Sequence, residues 1–261
     1  MGFTARIHQY RSLAFARVPF TNPVLIVVQR GTKTLRSPGC EWVVPAGHAI
    51  AVNRGQTLDI QNEPAADGCY EARWLAWDES LFTEPPATTK SSHAIRVACP
   101  LGLLGPPLKQ AIDAAISAVL EHPDPIPLEV AQHRMREPLV WMASRGAHFE
   151  PAASVSVRER VRLLLAGAPH RAWTAARIAG ELSTSEATLR RRLTAEGASL
   201  SELLVDVRMS MALTLLQATR LPVAQIAMDM GYQSPSRFAV RFRKRFGFAP
   251  TTVRGHDRAI Y

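Results

Sequence analysis

Cysteine is scarce: the chain has three, Cys40, Cys69 and Cys99, about thirty residues apart and with no CxxC pair. That spacing gives neither a zinc box nor a disulfide framework, so a reducing, cytoplasmic setting is the expectation. No run of about 18 apolar residues exists, which excludes a membrane-spanning helix from the expectations. Met1 to Arg11 lacks the apolar core of a secretory signal. Also missing are a Gly-rich phosphate loop and a convincing Ser/His/Asp set. A metal-holding barrel needs clustered histidines with a carboxylate, whereas His48 stands alone and His93 lies far along the chain. Neither an enzyme nor a bound metal or cofactor is therefore expected.

What is abundant is arginine, and only in the second half is its charge left unbalanced by acidic residues. From Val155 to the end there are 16 Arg and 1 Lys against 8 acidic residues, while the first 154 residues carry 14 basic and 14 acidic. The whole net charge of +9 thus sits in the second half. A neutral half joined to a basic half divides a sensing or assembly module from a polyanion-binding one. At 261 residues the chain suits two domains, expected at 1–150 and 155–258.

Val24 to Phe82 reads as short strands separated by Gly and Pro. Val24-Leu25-Ile26-Val27-Val28 runs into Arg30-Gly31-Thr32-Lys33, Trp42-Val43-Val44 ends at Pro45, and Ala49–Val52, Leu58–Gln61 and Tyr70–Trp77 follow. This pattern fits a small sandwich or barrel. Lys33, Arg30 or Arg54 are candidates to hold an acidic ligand near the barrel, with a surface charge the safer reading for each. After turn-rich sequence around Pro85-Pro86 and Pro100–Pro107, Leu108–Leu120 shows helical apolar spacing. Prolines 123, 125 and 127 then break the chain. A second helix is expected from Leu128 to Ser144, kinked or interrupted at Pro138. This helical pair packs either on its own sheet or on a second copy of the chain. Gly146–Ser154 reads as a linker.

From Ser156 the pattern is helical, and residues 174–250 hold one unit twice. Ile178-Ala179 is followed by Leu182, Ser185, Leu189, Leu193 and Gly197; about 48 positions later Ile226-Ala227 is followed by Met230, Ser234, Phe238, Phe242 and Gly247. Such repetition decides the class, and short helix, turn, basic helix is the grammar of a helix-turn-helix. Ser156 with Glu159, Thr174, Ser185, and Ser199 or Ser201 read as helix starts. A long helix through Leu203, Val207, Met211 and Leu215 joins the two copies.

Burying Leu189 and Leu193 turns Ala187, Arg191 and Thr194 outward with Arg190 and Arg192 on the flanks. Arg191 is then the best guanine reader, through a bidentate contact to O6 and N7. In the second copy, burying Phe238, Phe242 and Phe246 turns Ser236 and Val240 outward, with Arg237, Arg243 and Lys244 around them. Arg241 and Arg245 lie nearer the buried side, for phosphate contact or intramolecular pairing. Serine and valine discriminate bases weakly, so a nonspecific architectural DNA binder is the alternative reading. A methyl-accepting DNA-repair cysteine would need an electropositive setting that the three cysteines lack.

Gly231-Tyr232-Gln233-Ser234-Pro235-Ser236-Arg237-Phe238, followed by Phe242-Arg243-Lys244-Arg245-Phe246-Gly247-Phe248-Ala249-Pro250, resembles the signature of the AraC/XylS family of bacterial transcriptional regulators. Arg208, Ala212, Leu215 and Leu216 are similar to that family's linker helix. The resemblance covers about a hundred residues and implies two major-groove helices on one DNA face. It further implies base-contact positions Ala187, Arg190 and Arg191 in the first unit and Pro235, Ser236 and Val240 in the second. The chain departs from the family pattern at Arg237, Val240 and Ala249. The first half is similar to the cupin-like barrel and helical pair that many members use for effector binding and dimerisation. The resemblance thus implies an α+β protein with double-stranded DNA and RNA polymerase as partners, an activator, with a small-molecule effector and a homodimer on the barrel side.

Overall fold

In a computed structural model describing residues 2–78, 81–82, 93–120, 126–149 and 156–253, the chain divides into two compact units, 1–153 and 154–261. The expected turns at Pro85-Pro86 and breaks at Pro123 and Pro125 lie outside the described residues.

The first unit is built on two antiparallel sheets. One has five strands in the order β1 (Gly2–Gln9), β8 (Tyr70–Trp77), β3 (Val24–Arg30), β6 (His48–Val52), β10 (Ala98–Leu103). The other has four, in the order β2 (Leu13–Phe20), β7 (Gln56–Glu63), β4 (Thr32–Ser37), β5 (Cys40–Pro45). Side chains alternate between strand faces, so the central strands β8, β3 and β6 of the larger sheet serve two cores. Leu25, Val27, Ala49, Ala51, Leu75 and Trp77 pack against helices α1 (Pro106–Val119) and α2 (Leu128–Ser144). Trp74 points the other way, stacking on Phe20 of the smaller sheet with ring centroids 5.9 Å apart. This double burial is why Val24–Val28 is an unbroken apolar run, with no polar residue on either face.

The helical pair therefore packs on its own sheet. Leu108, Ile112 and Ala115 of α1 and Met135 and Met142 of α2 join that core, and Trp77 Nε1 donates to the Met135 carbonyl at 2.7 Å. Pro138 does not interrupt α2, which runs unbroken through it with Pro138 buried. Part of the expected linker is structured: β11 (Ala147–His148) pairs in parallel with β9 (His93–Ala94).

The second unit is all helical: α3 (Val157–Gly167), α4 (Ala175–Glu181), α5 (Glu186–Ala195), α6 (Leu200–Ala218), α7 (Val223–Asp229), α8 (Pro235–Phe246) and α9 (Pro250–Val253). Ser156, Thr174, Ser185, Ser199 and Ser234 each cap a helix, accepting from the backbone N–H three residues on. Leu203 and Val207 of α6 close the core formed by Val161, Leu165, Ile178, Leu189 and Leu193. Among the described residues no helix is long and apolar enough to cross a membrane.

Candidate nucleic-acid interface

Helices α4 and α5 meet through a tight turn, and α7 and α8 repeat it. In the first, Ser183 takes a left-handed conformation (φ 50°) and the Thr184 N–H donates to the Ala179 carbonyl at 2.9 Å. In the second, Gly231 (φ 76°) takes that place and the Tyr232 N–H donates to the Ala227 carbonyl, also at 2.9 Å. The buried side of α5 is Leu189 and Leu193, and that of α8 is Phe238, Phe242 and Phe246. The three phenylalanine rings pack in series, Phe242 lying 5.7 Å from Phe238 and 4.7 Å from Phe246.

With the apolar stripes fixed, the opposite faces follow. Ala187, Arg190, Arg191 and Thr194 are exposed on α5, and Pro235, Ser236, Arg237, Val240, Arg243 and Lys244 are exposed on α8. Val240 is 71% accessible, an apolar side chain with no intramolecular burial to explain it. Arg190 approaches Glu186 one turn back at 3.6 Å, a solvated pair that leaves its guanidinium available. Arg243 and Lys244 lie in the last turn of α8, where the helix dipole favours cations. A cleft of about 740 Å³ runs beside this helix, with Arg208, Tyr232, Arg237, Arg241 and Lys244 in its walls.

Of the two arginines expected nearer the buried side, Arg245 pairs with Asp206 of α6 at 2.9 Å, while Arg241 is exposed. Burial and the neighbouring guanidinium of Arg208 act oppositely on the Tyr232 phenol. Burial dominates and raises its pKa, while Arg208 itself is lowered by the same desolvation.

Some of the residues that hold the interface in place have no sequence signature. The Glu196 carboxylate, just past α5, accepts from the N–H groups of Val157 and Arg158 at 3.1 and 2.7 Å, capping α3 and anchoring the tail of α5. A carboxylate on a polar helix end reads as solvated from sequence alone.

In the sheet-rich unit, Lys33 is not a surface charge: it is 1% accessible, and its Nζ donates to Asn62 Oδ1 at 2.8 Å. It lies 5.3 Å from the Trp74 ring and 5.9 Å from that of Tyr70. Burial lowers its pKa from 10.5 to about 7. Arg30 is exposed and paired with Asp67.

A helical helix-turn-helix unit that follows a sheet-rich unit with two packed helices marks a DNA-binding regulator. The chain belongs to the AraC family of transcriptional regulators: residues 2–135 match the model of the AraC-like ligand binding domain, and residues 178–256 that of a helix-turn-helix domain. Transcriptional regulator SirC of Salmonella typhimurium is 34% identical over 102 residues, covering 39% of this chain and 35% of SirC. HTH-type transcriptional regulator GadX of Escherichia coli O6:H1 is 42% identical over 79 residues, 30% of this chain and 29% of GadX. The chain thus spans about a third of the length of these curated relatives. In architecture it is similar to ToxT from Vibrio cholerae. The structure of an apo ToxT variant superposes with a TM-score of 0.67 at 16% identity, covering 96% of this chain and 95% of that one. The unsaturated fatty acid bound wild-type structure gives 0.63 at 15%, covering 96% and 92%. At those identities the likeness is one of fold.

Proposed function

We propose that the chain is a sequence-specific transcription regulator that lays α5 and α8 into adjacent major grooves, about 34 Å apart on one face of the duplex. The observation that carries this reading is the exposed polar face of each second helix, set opposite a fully buried apolar stripe. Arg191 reads guanine and Arg190 assists. Arg237, Arg243 and Lys244 grip phosphates and fix the register in which Ser236 and Val240 meet base edges. Activation through RNA polymerase, a small-molecule effector held by the sheet-rich unit and association with a second copy complete the proposal, on the strength of the family.

A nonspecific architectural mode is the second reading, and what favours it is the outward face of α8, where Ser236 and Val240 choose bases weakly. Selection from a random duplex library, then salt titration on selected and random duplexes, separates the two. The specific reading expects a selected duplex bound at least ~10³-fold tighter than random DNA. Steep salt dependence on both duplexes without an affinity gap overturns it.

A further inference from the structure

Arg208, on the helix that joins the two helix-turn-helix units, ties the loop ahead of the first unit to the turn of the second. Its Nε donates to the Pro169 carbonyl at 2.8 Å and its Nη2 to the Arg171 carbonyl at 3.0 Å. Both acceptors lie in the loop between α3 and α4 that leads into the first repeat. The same guanidinium sits 5.8 Å from the Tyr232 ring centroid, in the turn between α7 and α8 of the second. Gly231 lies directly against it: a Cβ at that position would stand 2.7 Å from Arg208 Nη2 and 2.9 Å from the His170 carbonyl.

The repeat supplies its own control. Ser183 and Gly231 occupy equivalent left-handed turn positions, and Ser183 shows that this turn accepts a side chain. What differs at 231 is room, because Arg208 and the His170 backbone fill the space a Cβ needs. Glycine stands there for close approach as well as for φ. Beside this contact a cleft of about 500 Å³ opens between the two repeats, with His170, Trp173, Leu204 and Met228 in its walls. Side-chain packing does not fill that flank, and the Arg208 bridge spans it.

We propose that Arg208, seated against Gly231, is the positioning residue that fixes the separation and rotation of α5 relative to α8, and so sets which spacing between two base-pair blocks the protein accepts. The proposal rests on the reading that both helices enter DNA. Each added base pair moves the second block by ~3.4 Å and turns it by ~34°. A locked pair of helices loses one block on such a step; a hinged pair follows it.

The test uses the full chain and a two-block duplex selected by the wild type, compared with the same duplex carrying one base pair inserted between the blocks. The wild type is expected to bind the inserted duplex at least ~10-fold more weakly. Arg208→Gln should compress that ratio below about threefold while keeping the salt slope, which counts phosphate contacts and is blind to spacing. Gly231→Ser should act in the same way, and should add little in the Arg208→Gln background, because the two sites are coupled. Equal spacing discrimination in wild type and Arg208→Gln overturns the proposal, as does a wild type indifferent to the insertion.

Spin labels at Ala187→Cys and Val240→Cys, in a background of Cys40→Ser, Cys69→Ser and Cys99→Ser, give a readout that needs no DNA. A narrow distance distribution that broadens with Arg208→Gln or Gly231→Ser is expected. A broad distribution in the parent, or one unmoved by both substitutions, overturns the lock. Should the wild type enrich no duplex, the DNA-reading proposal fails, and the label distances alone decide whether Arg208 locks the repeats.

Discussion

Arg245 Nε donates to Asp206 Oδ1 at 2.9 Å, with the two side chains only 13% and 17% accessible, and this pair fastens the second basic helix to the helix that joins the repeats. Both charges are largely withdrawn from water, so removing one leaves the other poorly solvated. Asp206→Asn should lower unfolding stability by about 1–2 kcal/mol, after discounting for the solvent that still reaches the pair. Denaturant titration followed by far-ultraviolet circular dichroism measures it, and an unchanged midpoint would show the pair to be energetically idle.

Arg191→Ala should weaken binding to a selected duplex by about 1–3 kcal/mol and relax the preference at one base position. Arg191 is exposed, on the same face as Ala187 and Thr194, so the substitution removes no buried contact. Fluorescence anisotropy on the selected site and on its single-base variants is the measurement. Equal loss on random DNA would reassign this guanidinium to phosphate.

Lys244→Ala is expected to weaken selected and random duplexes alike and to reduce the slope of log K against log salt by about 1, the mark of one phosphate contact. Lys244 is exposed in the last turn of α8. A loss confined to the selected duplex would instead give it a part in base choice.

The DNA-binding half was legible in the sequence because its determinants are local. Ser156, Thr174 and Ser185 sit as caps where the apolar period begins, and the positions of Leu189, Leu193, Phe238, Phe242 and Phe246 fix the exposed faces by helical geometry alone. The first half was legible only in part. Strands β1 and β2 went unread: β1 alternates without a strong apolar face, and β2 carries Pro19 and a register shift between Phe15 and Val18. In β10 the register shifts between Pro100 and Gly102, and that Pro and Gly content reads as a turn. The Leu128–Ser144 helix was read with its bounds and runs uninterrupted through Pro138, whereas the buried Lys33 was misread because a local rule was overridden by tertiary surroundings that only the folded chain supplies. The same holds for Gly231, whose need for space depends on Arg208, distant in sequence.

Lys33 makes the stability of the sheet-rich unit depend on pH near and above neutrality. Its pKa is about 7 in the folded chain against 10.5 for a free side chain, so between those limits the unfolded chain holds a proton that the folded one has released. Stability therefore rises with pH across that window, by at most ~1.4 kcal/mol per unit, and the full penalty for charging the site is felt below about 7. Asn62, tied in turn to Gln9 through Asn62 Nδ2 and Gln9 Oε1 at 3.0 Å, gives Nζ a neutral acceptor without a compensating charge. Lys33→Met keeps the length of the side chain and removes the proton. Denaturation midpoints of the wild type should climb between pH 7 and 9 more steeply than those of Lys33→Met. The variant should be the more stable of the two at pH 6, where the wild-type ammonium is buried with a neutral amide oxygen, and no carboxylate, as its hydrogen-bond acceptor. Parallel pH profiles for the two proteins would mean that Nζ reaches water in the folded state, and that the burial inferred for Lys33 does not hold in solution.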